Sequence, residues 1–328
     1  MNRPGVLLVG LGRWGEKHLR VLRDLGADIW AADMSSERRA WARDQGVDPA
    51  RLVADYRDSL PQVAAVDVVT PAHSHRPIAE AALAAGRHCF VEKPLAATLG
   101  DARRLRDLAR ESGRVLQVGH IFRFHPVTAT LRNAIVSGRI GRVRFATGRF
   151  SGFKRPRTDV GVTQTDGIHY FDLFAYLFGA PATSVVAAQR DYLGRGLDDM
   201  SVTLVQYGDV MAVVEANYFV PGTHRECVIV GESGSLVADF GAGTVRLHLG
   251  EHRARNGAWD AVDTGKEDLP TTGDEPLRVE LAAFLDACAG RSANPVDAGA
   301  ALHALAIVEA SAHAARLGRS VALAEIQA

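Results

Sequence analysis

Cysteine is scarce in this chain of 328 residues: Cys89, Cys227 and Cys288 lie far apart and form no C-x-x-C pair. That excludes a disulfide framework and suits a reducing compartment, so a cytoplasmic location is expected. Charge of one sign is lacking too, with 38 basic and 38 acidic side chains, which argues against a nucleic-acid surface. No apolar run reaches the ~18 residues of a membrane span, and no basic segment followed by an apolar stretch opens the chain, so neither a membrane anchor nor a secretory signal is expected. What is present is ordinary globular material. The hydrophobic content is 47%, enough for real cores, and the length suits about two domains.

The opening, "GVLLVGLGRWGEKHLRVLRDLGADIWAAD", has internal order. The apolar run Gly5 to Val9 predicts a buried parallel strand. Gly10, Gly12 and Gly15 follow as G-x-G-x-x-G, then Leu19, Leu22 and Leu25 at helical spacing, then a second strand from Ala27 to Ala32 closed by Asp33. In this arrangement the first glycine allows a tight turn, the second lets backbone approach a pyrophosphate, and the third lets helix pack on strand. The helix N-terminus offers N–H groups to phosphate, and an acid at the second strand end accepts from ribose hydroxyls. The motif predicts a dinucleotide site. Asp33 favours NAD, with NADP less favoured because the carboxylate repels a 2′-phosphate; Arg38 and Arg39 nearby soften that preference.

Alternation continues with strands predicted at 51–54, 64–70, 87–91 and 115–118 and helices near 77–85 and 97–111. Strands alternating with helices predict a doubly wound parallel sheet over residues 1–120. Ligands bind outside the carboxyl ends of such strands. Thr70-Pro71, Glu92-Lys93-Pro94 and "GHIFRFHP", with His120 and Arg123, all fall there. Beyond residue 120 the pattern changes. Helices are expected near 126–137, 167–178, 275–289 and 298–317, and strand-like runs near 141–150, 184–189, 200–206, 210–218, 226–230, 235–239 and 245–249. Residues 121–328 thus read as an α/β domain on a large, predominantly antiparallel sheet. The polar stretch from His252 to Asp274 reads as an irregular surface loop. His73 and His75 have no third ligand in sequence, so no metal is expected.

The segments "VGLGRWGEKH", "TPAHSHRPIAEAALAAGRHCFVEKPLA", "VGHIFRFHP", "DGIHYFDLFAYLFG" and "EPLRVELAAFLDA" together resemble the Gfo/Idh/MocA (glucose–fructose oxidoreductase/inositol dehydrogenase) family over nearly the whole chain. The resemblance implies an N-terminal Rossmann domain and a C-terminal domain whose open sheet supports substrate binding and homodimers or homotetramers. It implies NAD(P)-dependent redox chemistry on sugars, cyclitols or sugar nucleotides. It assigns cofactor contacts to Gly10, Gly12, Arg13, Trp14, Gly15, Asp33, Thr70, Pro71, His75, Glu92 and Lys93, makes Lys93 the lysine of the E-K-P turn with Pro94 cis, and makes His169 the histidine of the second-domain helix. Many members carry an aspartate four residues before that histidine. Here that position is Thr165, Asp166 stands three before, and Asp172 three after, so the acid that partners His169 is left open.

Oxidising a secondary alcohol requires a base within hydrogen-bond reach of the hydroxyl. Lys93, His169 and Asp166 are the candidate catalytic residues, and with His120, Arg123, Arg155 and Arg157 they are the candidate substrate contacts. The basic segment "GRFSGFKRPRTDVG" suits phosphate recognition, and it resembles the matching stretch of UDP-N-acetylglucosamine 3-dehydrogenases. The expected function is NAD-dependent oxidation of a sugar, foremost a UDP-N-acetylglucosamine-like substrate at C3. The alternatives are an inositol or free-sugar dehydrogenase, a ketosugar reductase, and an NAD-assisted glycosidase that oxidises C3 transiently.

Overall fold

A computed structural model describes residues 5–327. These form two compact units: one runs through Ile121 and takes in Glu275–Leu302, the other comprises Phe122–Asp274 and the chain from His303 on. The packing therefore differs from a single cut near residue 120.

The first unit contains β1 (Gly5–Val9), α1 (Arg13–Asp24), β2 (Asp28–Ala32), α2 (Ser36–Asp44), β3 (Leu52–Val53), β4 (Ala65–Val68), α3 (Ala72–Ala84), β5 (His88–Glu92), α4 (Leu99–Ser112) and β6 (Leu116–Gly119). The strands form one parallel six-stranded sheet in the order β3-β2-β1-β4-β5-β6. That order reverses between β1 and β4, where open α/β sheets place their ligands. The alternating elements bury both sheet faces, which is why β1 and β4 are apolar almost throughout. Val6, Leu8, Leu19, Leu22, Ile29 and Phe90 share their core with Leu277, Leu281, Phe284 and Leu285 of a later helix. The helix expected near 77–85 starts earlier, at Ala72, with Pro77 inside it. Proline is usually a helix starter, but here the extended Pro71 precedes the first turn, so His73 and His75 are helical.

The second unit begins with α5 (Pro126–Val136), β7 (Val143–Gly152) and α6 (Ile168–Phe178), followed by β8 (Ala182–Arg190), β9 (Met200–Tyr207), β10 (Val210–Asn217), β11 (Thr223–Gly231), β12 (Gly234–Asp239), β13 (Thr244–Arg255) and β14 (Ala258–Leu269). The core-forming helix of the first unit is α7 (Pro276–Cys288), and α8 (Ala298–Leu317), β15 (Val321–Ala322) and α9 (Leu323–Gln327) end the chain. Nine strands lie in the order β14-β13-β12-β11-β7-β10-β9-β8-β15. Every pair is antiparallel except β7 with β10. Period-two burial puts Val205, Tyr207, Ala212 and Val214 under α6, whose Tyr170, Phe171 and Phe174 are fully buried.

The stretch from His252 to Asp274 is mainly strand rather than an irregular loop. β13 runs on to Arg255, turns at Asn256-Gly257 and returns as β14, with Arg255 opposite Ala258. Both turn residues have positive φ, 53° and 80°, as the tight hairpin turn requires. Beyond Leu249 both strands are largely exposed on either face, so this part of the hairpin carries no apolar alternation to betray it.

Candidate functional site

The first unit supplies a phosphate cradle. Gly10 leaves β1 with φ at +99°, and a Cβ there would meet the Val69 carbonyl oxygen at 2.4 Å. A Cβ at Gly15 would stand 2.0 Å from the Gly10 carbonyl oxygen, so helix and strand touch backbone to backbone. At Gly12, the N-cap of α1, a Cβ would meet nothing within 4 Å. That open space over unpaired helix N–H groups fits a pyrophosphate. The Asp33 carboxylate accepts from the Leu11 N–H at 2.8 Å and the Ser35 N–H at 2.9 Å, which fixes it at the end of β2. Arg38 is turned away to the Leu11 carbonyl and Glu16, both at 2.5 Å. Arg39 donates to the Asp33 and Met34 carbonyls. Both arginines are thus engaged by neighbouring oxygens, and the fixed Asp33 carboxylate fits a ribose diol. Arg13 is exposed on the first turn of α1.

Thr70, Pro71 and His75 lie where β4 meets α3. The His75 ring nitrogens lie 2.8 Å from the Pro94 carbonyl and 2.7 Å from the Thr70 carbonyl. This ties the turn after β5 to the end of β4. The Lys93-Pro94 bond is cis. Lys93 is half-buried, and its N–H lies 3.2 Å from Glu92 Oε2. Trp14 donates its indole N–H to Glu92 Oε1 at 2.8 Å; it faces this carboxylate from α1. His120 is buried at the end of β6.

The second unit gathers a different set. A wide turn of π type, Thr163–Gly167, leads into α6. Such turns re-aim side chains and recur at functional sites. Thr165 spends its hydroxyl on the Gly161 carbonyl, 2.8 Å away. Asp166, nearly buried, pairs with Lys154 at 2.7 Å. His169 stacks against two aromatic rings that also touch each other, Phe122 at 4.9 Å and Phe150 at 5.0 Å. Asp172 is occupied by Arg123 through two hydrogen bonds of 2.8 and 2.6 Å. Asp166 thus pairs with Lys154, and Asp172 anchors Arg123. Lys154 also sits 4.9 Å over Phe150 and 5.5 Å over Tyr218. Burial, helped by the charge of Asp166, pushes the Tyr218 hydroxyl up to about 12. Arg225 lies 3.3 Å from the Phe150 centroid, and burial lowers its pKa.

The basic segment divides. Arg157 is held by both oxygens of Asp159, at 2.8 and 2.6 Å, whereas Arg155 is exposed. Sequence reasoning did not single out Lys154 within this segment, because no spacing rule links residue 154 to residue 166. It also passed over Asp67 and His18. Asp67 had a signal: an acid within the apolar run "AAVDVVT" must find a buried partner. That partner is His18, at 2.9 Å. Among the described residues, no group of three or more His, Cys, Asp or Glu side chains is arranged to hold a metal.

Known proteins match this chain over nearly its whole length. Residues 5–120 match the profile described as "Oxidoreductase family, NAD-binding Rossmann fold", and residues 128–237 that of the "GFO/IDH/MocA C-terminal domain". D-apiose dehydrogenase of Paraburkholderia graminis is 30% identical, over 98% of this chain and 90% of its own. UDP-N-acetylglucosamine 3-dehydrogenase of Acidithiobacillus ferrooxidans is 30% identical over 88% of this chain and 93% of its own. A crystal form of that enzyme superposes with a TM-score of 0.83 at 26% identity, covering 97% of this chain and 99% of the other. A levoglucosan dehydrogenase in complex with NADH and L-sorbose shares the fold, with a TM-score of 0.85 at 22% identity over 98% and 99% of the two chains.

Proposed function

Because this chain belongs to the Gfo/Idh/MocA family of NAD-binding oxidoreductases, and is a dehydrogenase whose cofactor is NAD, we propose that it oxidises a secondary alcohol of a sugar. In its most specific form the substrate is a nucleotide-activated amino sugar of the UDP-N-acetylglucosamine kind, oxidised at C3. What supports the chemistry is that each unit offers a candidate acid–base group: Lys93 directly after β5, and His169 at the start of α6, with the Asp166–Lys154 ion pair in the turn before it.

Gly10, Gly12 and Gly15 would hold the pyrophosphate, and Asp33 the ribose diol. Bound there, nicotinamide supplies a two-electron hydride acceptor. Lys93 orients the reacting hydroxyl by hydrogen bonding and takes part in removing its proton. His169 receives or relays that proton, the ordinary task of an imidazole near neutral pH. The stacked rings of Phe122 and Phe150 hold the imidazole plane fixed. We further propose that copies of the chain assemble as a homodimer or homotetramer through the nine-stranded sheet. Strand register aligns the exposed Val186, Met211 and Val237 on one of its faces.

The sugar-nucleotide reading is supported by the A. ferrooxidans relative and by the exposed Arg155. A second reading, a free-sugar or cyclitol dehydrogenase, is favoured by one observation: Asp159 already neutralises Arg157. The D-apiose and inositol dehydrogenases among the relatives agree with it. Purified protein with NAD, offered UDP-sugars, free sugars and inositols in turn, tests both. Accumulating NADH with UDP-N-acetylglucosamine supports the first, NADH only with a free polyol supports the second, and product without net NADH points to the transient-oxidation glycosidase.

A further inference from the structure

A charged cluster that the proposed chemistry does not use lies under the E-K-P turn, wholly inside the first unit. His18 sits on α1 one turn after Gly15, and its side chain is 0% exposed. Nδ1 is 2.9 Å from Asp67 Oδ2 on β4, and Nε2 is 3.2 Å from Glu92 Oε1 on β5. Both ring nitrogens face carboxylate oxygens, and only an imidazolium donates from both. Trp14 and Phe90 hold the ring edge-on at 6.1 and 5.8 Å. Asp67 is fully buried, and its Oδ1 has no hydrogen-bond partner among the described residues. Its stability there rests on the charge of His18. The charged or titratable groups facing this cluster are Asp67, Glu92, Lys93 and Cys89, and burial keeps the Cys89 thiol protonated.

We propose that His18 is a positioning residue for Lys93, acting through Glu92. This rests on the reading of Lys93 as the acid–base group of the first unit. Each oxygen of the Glu92 carboxylate has an assigned partner. Oε1 takes the Trp14 indole and His18, both from α1, and Oε2 accepts from the backbone N–H of Lys93 itself. On the far side there is no slack: a Cβ at Gly119, the end of β6, would lie 2.9 Å from Oε1. The imidazolium therefore fixes a carboxylate that fixes the peptide carrying the lysine. It also keeps that carboxylate ionised beside the ammonium group. Burial works against a charge on His18, but the charges and hydrogen bonds of Asp67 and Glu92 outweigh it and raise its pKa to about 10. The cluster then holds its charge across the working range of a dehydrogenase. Displacing a catalytic group by about 1 Å costs on the order of 10² in rate, so this support bears on turnover.

The experiment compares His18→Gln, Lys93→Met and the double variant His18→Gln/Asp67→Asn in thermal unfolding, NAD affinity, KM and kcat. His18→Gln is expected to lower kcat by about 10- to 100-fold while NAD affinity and KM stay within about threefold. The double variant should recover thermal stability, because the buried charge on Asp67 is removed with its partner, but not kcat, because the introduced glutamine still lacks the charge that holds the Glu92 carboxylate; recovery of kcat along with stability overturns the proposal. A His18→Gln protein that loses thermal stability but keeps kcat overturns the proposal. If instead Lys93→Met turns over like wild type, the underlying reading of Lys93 has failed. Should the single variant not fold, ¹⁵N imidazole shifts of His18 in the wild-type protein without substrate decide. Retention of its proton beyond pH 8, about 1.5 units above the ordinary histidine value, is expected. Titration at the ordinary value overturns the proposal.

Discussion

The two charged clusters use opposite materials. Under the E-K-P turn, His18, Asp67 and Glu92 are enclosed, with side chains at most 10% exposed. At the start of α6, Lys154 is 35% exposed while its partner Asp166 is 3% exposed, and aromatic rings wall the histidine. In the first cluster the charges support one another and no outside group is needed. In the second a cation stands at the surface and an acid beneath it, which leaves a polar edge for a ligand to meet. The difference separates support from contact. A buried network holds geometry, while a half-open ion pair is weak in itself and is available for exchange.

The largest effect that would break the comparison is on turnover. Lys93→Met and His169→Ala are each expected to lower kcat by roughly 10²–10⁴, with NAD affinity retained. Equal NAD binding with wild-type turnover in either would remove that residue from the chemistry.

Next comes stability, where the clusters should diverge. Asp67→Leu strands His18 in the core and should cost about 3–5 kcal/mol. Lys154→Met removes one side of a partly exposed pair and should cost no more than about 1 kcal/mol. Urea unfolding of the two variants checks this, and similar losses would erase the distinction between the clusters.

The pH dependence sharpens it. The His18 pKa is raised from 6.5 to about 10 in the fold, so between those values the folded state holds a proton that the unfolded state has released. The stability from this group is complete below pH 6.5 and is lost as pH rises toward 10, at up to about 1.4 kcal/mol per unit. His18→Gln should flatten that slope.

A smaller effect concerns the cofactor. Asp33→Ser should weaken NAD and improve relative use of NADP, read from the ratio of kcat/KM values. The smallest concerns the basic segment. Arg155→Ala should raise KM for a sugar nucleotide and leave a free sugar unaffected, whereas Arg157→Ala should act mainly through the loop that Asp159 holds. Equal changes on both substrates would make Arg155 a solvated surface cation.

How far the sequence could be read follows from what sets each position. Gly10, Gly12, Gly15, Asp33 and Lys93 are placed by backbone, at strand ends and helix starts, and periodicity alone locates those ends. β1 was expected at Gly5 to Val9 and is found there. Lys154, Phe122, Phe150 and Tyr218 are placed by side chains converging from separate elements of the second unit, and no local spacing encodes such a meeting. That Asp166 meets Lys154 and Asp172 meets Arg123 depends on the π-type turn and the Arg123 fork, both tertiary outcomes. The return of α7 to the first unit was hidden because its apolar periodicity names a buried face and not the core that receives it. The hairpin after His252 was missed although Asn256-Gly257 is a strong turn signal, because the strand segments next to the turn do not alternate.

That hairpin bears on how the protein behaves at high concentration. A nine-stranded sheet with two open edges presents free N–H and C=O groups, a template on which foreign strands can grow. One edge, β15, is only two residues long. The other, β14, carries Asp260, Asp263, Lys266, Glu267 and Asp268 among its twelve residues. Brevity at one end and fixed charge at the other are the usual safeguards against edge-to-edge aggregation. The composition that makes β14 look like a loop is also what keeps the fold colloidally quiet. Replacing those charges with valine and threonine would make the strand legible and the protein prone to precipitate.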